Sequence, residues 1–410
     1  MTADRRKAIG KFFIILLIFA ALLGLKLFEK GMNEQNTTAL VMSYEYGFIA
    51  RGFIGTLVSL LAKAGMNLYS YTGAMVISAA ATVVLYAVAF VFFYCLLSKC
   101  DRQLMPKIQI GILFLSMFLF SEFVTVNNFG RLDEYLMILT VVCLILLTVE
   151  KGEWLIIPLC GIAVCVHSGF VFTNVAIILV LLFWKAVRRE GRERRRYAFI
   201  LAGTFLVICG LFLYFQLFRH NVSMEVYQEI VDRANQMAPG GKLINDAYSL
   251  LDSELLGKNV FADEWVWHTK NYVEFPIFLV LFLPYLILGY RFFRDLIRGT
   301  ERFADRILYF VMGAGMVTIL PELILKVDYG RWMFAIIAYY VFLLVTMMAM
   351  GDAYFTDTLK KSVQALRKKC GCWWVLLIYP IVFVPFRDVY ISDVTTWLMD
   401  HVVARVLGLW

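Results

Sequence analysis

Val164-Cys165-Val166-His167-Ser168-Gly169-Phe170-Val171-Phe172-Thr173-Asn174 lies in the middle of an uncharged run that extends from Trp154 to Trp184. At 31 residues the run is longer than the roughly 20 that one bilayer crossing needs. The segment after it decides how often it crosses. Lys185 to Arg196 holds seven basic and two acidic residues, and short loops this rich in Lys and Arg stay cytoplasmic. The N-terminus (Arg5, Arg6, Lys7, Lys11), the loop with Lys99, Arg102 and Lys107, and the segments Arg291 to Arg306 and Asp352 to Lys369 are basic as well. These segments share one side only if 154–184 crosses twice. Each half is then about 15 residues, or roughly 23 Å of helix, against a hydrocarbon core of about 30 Å. The spacing therefore predicts a turn at His167-Ser168-Gly169 sunk below the far membrane surface, where non-helical backbone needs protein or a wet cavity around it.

Outward from that run, uncharged stretches at 12–28, 71–98, 108–125, 135–149, 197–218, 275–290, 307–325, 333–351 and 373–386 predict further helices, about eleven crossings in all. The 410 residues are 61% hydrophobic and 17% charged, which excludes an ordinary soluble enzyme, where about a quarter would be charged. The expected fold is all-α integral membrane, a single domain over 1–410 with a cytoplasmic N-terminus. Segment 12–28 reads as a retained helix, since no small-residue cleavage site follows it. The outer side is expected to hold loop 30–70 with an interfacial helix from Gly52 to Ala62, the 126–134 turn, the His167 turn, the large loop 219–274, the 326–332 turn and an amphipathic tail, 387–410. Loop 219–274 carries nine acidic and five basic residues, so the net +8 resides mainly on the inner loops. That distribution points to membrane orientation and anionic lipid, not nucleic acid. The eight cysteines mostly lie in apolar runs, where free Cys acts as a small hydrophobe. Cys370-Gly371-Cys372 has neither the second pair nor the histidines of a zinc site, and no metal ligand set is expected.

Four places carry charge or chemistry that needs a reason. Loop 30–70 contains Tyr44-Glu45-Tyr46 and Arg51-Gly52. An interfacial anchor with a solvated ion pair is one reading; an arginine beside glycines among aromatics, where backbone approaches a ligand closely, is the other. In the 126–134 turn, Asp133 and Glu134 suit the first turn of a helix, whereas Arg131 is a cation at the unfavourable end. At Glu322 to Trp332, Glu322 and Lys326 are spaced to pair on a helix face, and Asp328 and Arg331 follow between two spans. Ionisable residues at membrane depth raise a functional hypothesis by default. His167 sits at the predicted break. Nucleotide-binding glycine loops, G-x-S-x-G and H-E-x-x-H are absent from the sequence, so no nucleotide-driven pump or soluble-type hydrolase is indicated.

On this topology Arg51, Arg131, Lys326 and Arg331 face outward together with Glu45, Asp133, Asp328 and His167. Arginine suits bidentate phosphate recognition, and a carboxylate or histidine can orient or deprotonate a hydroxyl. An amphiphile with phosphate at the interface that needs an outward cavity is a polyprenyl-linked saccharide. The chain resembles, in layout, bacterial multispanning enzymes of surface-polysaccharide assembly: GT-C-like lipid-dependent glycosyltransferases and O-antigen or capsule polymerases. The residues that carry the resemblance are Glu45 and Arg51 ahead of the interfacial helix Gly52 to Ala62, the outer arginines, the pair of short helices broken at His167, and the large late loop. The resemblance implies glycosyl transfer from a polyprenyl-(pyro)phosphate carrier at the outer face of the bacterial cytoplasmic membrane. It implies no required cofactor, though a divalent metal serves some members. Asp328, Glu45, His167 and Asp133 would be catalytic, and Arg51, Arg131, Arg331 and Lys326 would bind substrate. The partners expected are a lipid-linked saccharide and membrane lipids. The alternatives are a transporter or flippase for a lipid-linked or anionic solute, since broken helices and membrane charges suit transport, and a membrane acyltransferase built on His167.

Overall fold

The computed structural model describes residues 32–99, 129–218, 221–257, 269–325 and 329–370, and every regular element among them is helical. The expected spans 12–28, 108–125 and 373–386, the tail 387–410, Lys326 and Asp328 lie outside the described residues. A short α1 (Glu34–Thr38), whose N-cap Asn33 accepts the Gln35 N–H, leads through a 3-10 turn (Tyr44–Tyr46) to α2 (Phe53–Lys63). Long α3 (Tyr71–Lys99) and α4 (Leu132–Val149) come next, and α4 stops where Glu150 turns left-handed at φ 61°. The decisive run forms α5 (Ile156–Val166), a single turn α6 (Phe170–Thr173) and α7 (Val175–Arg188). After it come α8 (Gly191–Leu217), then α9 (Met224–Met237) and α10 (Asn245–Leu255) within the large loop, and α11 (Thr269–Arg298). The last elements are α12 (Phe303–Ala314), a 3-10 segment (Gly315–Ile319), α13 (Leu320–Leu325), α14 (Tyr329–Met350) and α15 (Ala353–Cys370).

Tyr71–Leu96, Leu132–Val149, Gly191–Leu217 and Phe303–Leu323 are long and apolar enough to cross a membrane, and Phe53–Lys63, Glu153–Val166 and Phe334–Met350 are shorter apolar helices. The chain is a helical membrane protein. In lipid, helix is the form in which an isolated segment satisfies its own backbone. In α2, Ile54 and Val58 are buried while Leu57, Leu60 and Leu61 are exposed, so the helix turns an apolar face outward, as a helix lying in the interface needs.

How 154–184 runs can be read from its contacts with α8. A Cβ on Gly203 would stand 2.9 Å from Ile157 Cδ1, and one on Gly161 would stand 3.0 Å from Val207 Cγ1. Small residues let helices approach this closely in lipid. Since 157 lies beside 203 and 161 beside 207, α5 runs in the same direction as α8. The Phe172 and Phe212 rings meet beyond them at 5.5 Å. Then α7 returns: the Lys185 ammonium lies 5.1 Å from the centre of the Tyr197 ring, near the start of α8. The fourth helix, α4, packs against both α5 and α7. The run goes out and back, and its break falls at His167.

Where α7 and α8 meet, a polar network ties the helix ends together. Arg188 reaches Asp305 at 3.2 Å and the Tyr309 hydroxyl at 2.9 Å. Asp352 accepts from Trp184 Nε1 at 3.1 Å and caps α15 by accepting the Phe355 N–H at 2.9 Å. Lys185, fully buried, pairs with Glu150, which Arg189 also meets. Burial alone would raise the Glu150 carboxyl, but Lys185 and Arg189 outweigh it and hold the group below the usual carboxylate range.

Candidate functional site at the His167 end

Helix α5 ends because His167 adopts extended backbone (φ −161°, ψ 121°). Its ring folds over the next turn, and Nδ1 accepts the Gly169 N–H at 2.8 Å. A Cβ at 169 would lie 2.9 Å from that ring, so a larger residue there would have to shift the imidazole. A neutral imidazole carries one N–H, and an accepting Nδ1 puts the hydrogen on Nε2. His167 therefore presents a hydrogen-bond donor in this geometry. A second interruption faces the first. The expected span 307–325 contains the 3-10 segment Gly315–Ile319, which packs on α6, and the Thr318 hydroxyl donates to Phe172 O at 3.1 Å. Tyr339 and Tyr340 hydroxyls donate to Met312 O and Gly313 O, each at 2.7 Å, and so supply donors at this irregular stretch.

The loop over residues 42–56 is held against this break. Thr56 Oγ1 accepts the Tyr44 N–H at 2.8 Å, and Cβ atoms on Gly52 and Gly55 would stand 2.6 Å from the Tyr44 ring and 1.9 Å from Met42 O. The start of α2 is thereby clamped on residues 42–44. The Tyr44 hydroxyl is pushed above its usual range by burial first and then by the Cys165 thiol beside it. Cys165 stands two residues before His167, so this contact joins the loop to the break. Glu45 pairs with Lys63 at 3.1 Å and faces Arg233 at 3.9 Å. Arg233 also lies over the Tyr69 ring at 5.0 Å. Burial, opposed by Arg233, pushes the Tyr46 hydroxyl up to about 12. Arg51 takes left-handed backbone (φ 63°), rare outside glycine. Its Nε lies 3.2 Å from a Glu254 carboxylate oxygen, with the side chains only 17% and 19% exposed.

Helices α9 and α10 thus meet this loop: Arg233 comes from α9 and Glu254 from α10. Arg131 and Asp133 pair with each other at 3.4 Å at the start of α4, and Asn36 Nδ2 ties that turn to α1 by donating to Phe129 O at 2.9 Å. Glu45 and Arg51 therefore lie on the loop whose Tyr44 meets Cys165, two residues before His167, while Arg131 and Asp133 form a separate pair at the start of α4. Arg331 belongs to the first turn of α14. Glu322 is buried in α13. Sequence reasoning missed three residues here. Arg233 and Glu254 sit on helices of a polar loop whose charges look uniformly solvated when read in order. Glu134, not Asp133, is the acid turned fully inward, and α4 is too apolar on every side for spacing to separate the two.

Among the described residues no group of three or more His, Cys, Asp or Glu side chains is arranged to hold a metal ion. No protein-family model, curated protein or solved structure matches the chain.

Proposed function

We propose that the protein transfers a sugar or glycan from a polyprenyl-(pyro)phosphate carrier to an acceptor hydroxyl at the extracytoplasmic face of a bacterial cytoplasmic membrane, in cell-surface polysaccharide or glycoconjugate assembly. The observation that carries the reading is Arg51: a strained, half-buried guanidinium at the head of an interfacial helix, paired with a carboxylate that the substrate's phosphate can replace. Backbone strain of this kind is kept where surrounding structure enforces it, commonly at ligand sites. The acceptor oxygen forms the new bond at the anomeric carbon and the bond to phosphate breaks. Glu45 receives the acceptor's proton, while Arg51 and the His167 Nε2–H stabilise the departing phosphate. Arg131, Arg331 and Lys326 are further substrate-binding residues of this reading, and Asp133 and Asp328 its further acids.

Replacing Arg51 with Ala in a native host lacking the chromosomal copy is expected to lower surface glycan and accumulate lipid-linked precursor, with transfer down about 100-fold, the scale for losing one transition-state donor. Normal glycan from membrane-inserted Arg51→Ala and Glu45→Gln proteins would overturn the assignment. A second reading is favoured by the two facing helix interruptions at α6 and Gly315–Ile319: movement of a lipid-linked or anionic solute across the membrane. Reconstituted vesicles separate the two, since transport relocates the saccharide without a new glycosidic bond.

A further inference from the structure

Glu134 lies one turn inside α4 and is fully buried, and neither carboxyl oxygen meets a donor in good hydrogen-bond geometry. The nearest groups are the Thr82 hydroxyl of α3 and the Gly130 N–H. The Thr82 hydroxyl has one hydrogen, which can go to Ser78 O of its own helix at 3.1 Å or turn to Glu134. Even with that hydrogen bond, a fully buried carboxylate with no cation acting on it is an uncompensated charge, which is costly. The buried hydroxyls of Tyr86 on α3 and Tyr135 on α4 also lack partners and feel the Glu134 carboxyl. Arg131 and Asp133 are paired with each other. Among the described residues, no charged side chain of α5 or α7, which also pack on α4, acts on Glu134.

One added hydrogen resolves the arrangement. We propose that Glu134 is a membrane-buried proton-binding site, its carbonyl oxygen accepting from Gly130 N–H and its hydroxyl donating to Thr82 Oγ1, so that the proton joins α3 to α4. A metal cation fits less well, because the Gly130 N–H is a donor aimed at the group that would have to coordinate it. Gly130 is fixed in this role: it has φ 80°, and a Cβ there would stand 2.5 Å from Ser78 Oγ. The site is separate from the Glu45, Arg51 and His167 cluster and holds whichever chemistry that cluster performs.

Infrared difference spectroscopy of the full-length protein in lipid nanodiscs tests this. A carboxylic-acid carbonyl band, shifted by deuterium exchange, is expected in the wild type and in Asp133→Asn and absent from Glu134→Gln. Glutamine reproduces both hydrogen bonds, its carbonyl accepting from Gly130 and its amide donating to Thr82, so this variant keeps the fold and the melting temperature. Thr82→Val removes the acceptor and is expected to move the band to higher frequency without abolishing it. A wild-type spectrum identical to that of Glu134→Gln in the acid region overturns the proposal, as does a band that Thr82→Val leaves in place.

Discussion

Gly55 and Lys185 show what single residues contribute at opposite ends of the bundle. Met42 O occupies the space a Cβ on Gly55 would need, at 1.9 Å. Gly55→Ala must push α2 off residues 42–44 and is expected to cost about 1–3 kcal/mol, as overpacking does, read as a lower melting temperature in detergent. Lys185 is fully buried while Glu150 is partly exposed and also holds Arg189. Removing a partner of a buried charge is far worse than replacing that charge with an apolar group. Glu150→Ala strands the ammonium and is expected to destabilise by about 3–5 kcal/mol, whereas Lys185→Met is expected to be near neutral. Equal losses from the two variants would mean that Lys185 is not held in a dry site. Such partnerships were illegible in sequence: Lys185 reads as one of seven basic residues in a solvated loop, and nothing in residue order pairs it with Glu150 at a distance of 35 positions.

At the level of elements, one helix interruption was legible and the other was not. The break at His167 follows from arithmetic, because 31 uncharged residues bounded by a basic loop fit only as two short helices. The interruption at Gly315–Ile319 lies in a stretch of ordinary spanning length, and the hydroxyls that satisfy it arrive from Tyr339 and Tyr340 on another helix. Tyr339→Phe leaves Met312 O without its donor in a buried contact, an expected loss of about 1–3 kcal/mol that the exposed Thr318→Val change should not match. Acid acts on the opposite end of the helices. The carboxyl of Glu150 is held below its usual range in the folded protein, so its contribution is present above the unfolded value and is lost as pH falls through the folded one. The melting temperature is expected to fall on acidification below the carboxylate range, and Glu150→Gln to flatten that fall.

For the whole molecule, the contacts sort charged segments into two groups without reference to a membrane. Glu150, Glu153, Lys185, Arg188, Arg196, Asp305 and Asp352 join one another near the α7–α8 turn. Glu45 pairs with Arg233, and Arg51 with Glu254, on the loop that Tyr44 joins to Cys165 beside His167. This partition repeats the division that loop charge alone predicts, with the strongly basic segment 185–196 in the first group and the acidic loop 219–274 in the second. Loop charge acts during insertion and helix packing acts in the folded bundle. On the orientation that loop charge predicts, the α7–α8 turn faces the cytoplasm and α9 the outside. Glu225 and Arg194 are exposed, one at the start of α9 and one in the first turn of α8. In a background lacking the native cysteines, Glu225→Cys is expected to react with an impermeant maleimide in intact spheroplasts, and Arg194→Cys only after the membrane is opened. The reverse pattern would place Arg51 and His167 on the cytoplasmic side and remove the proposed substrate, while leaving the packing and the Glu134 site untouched.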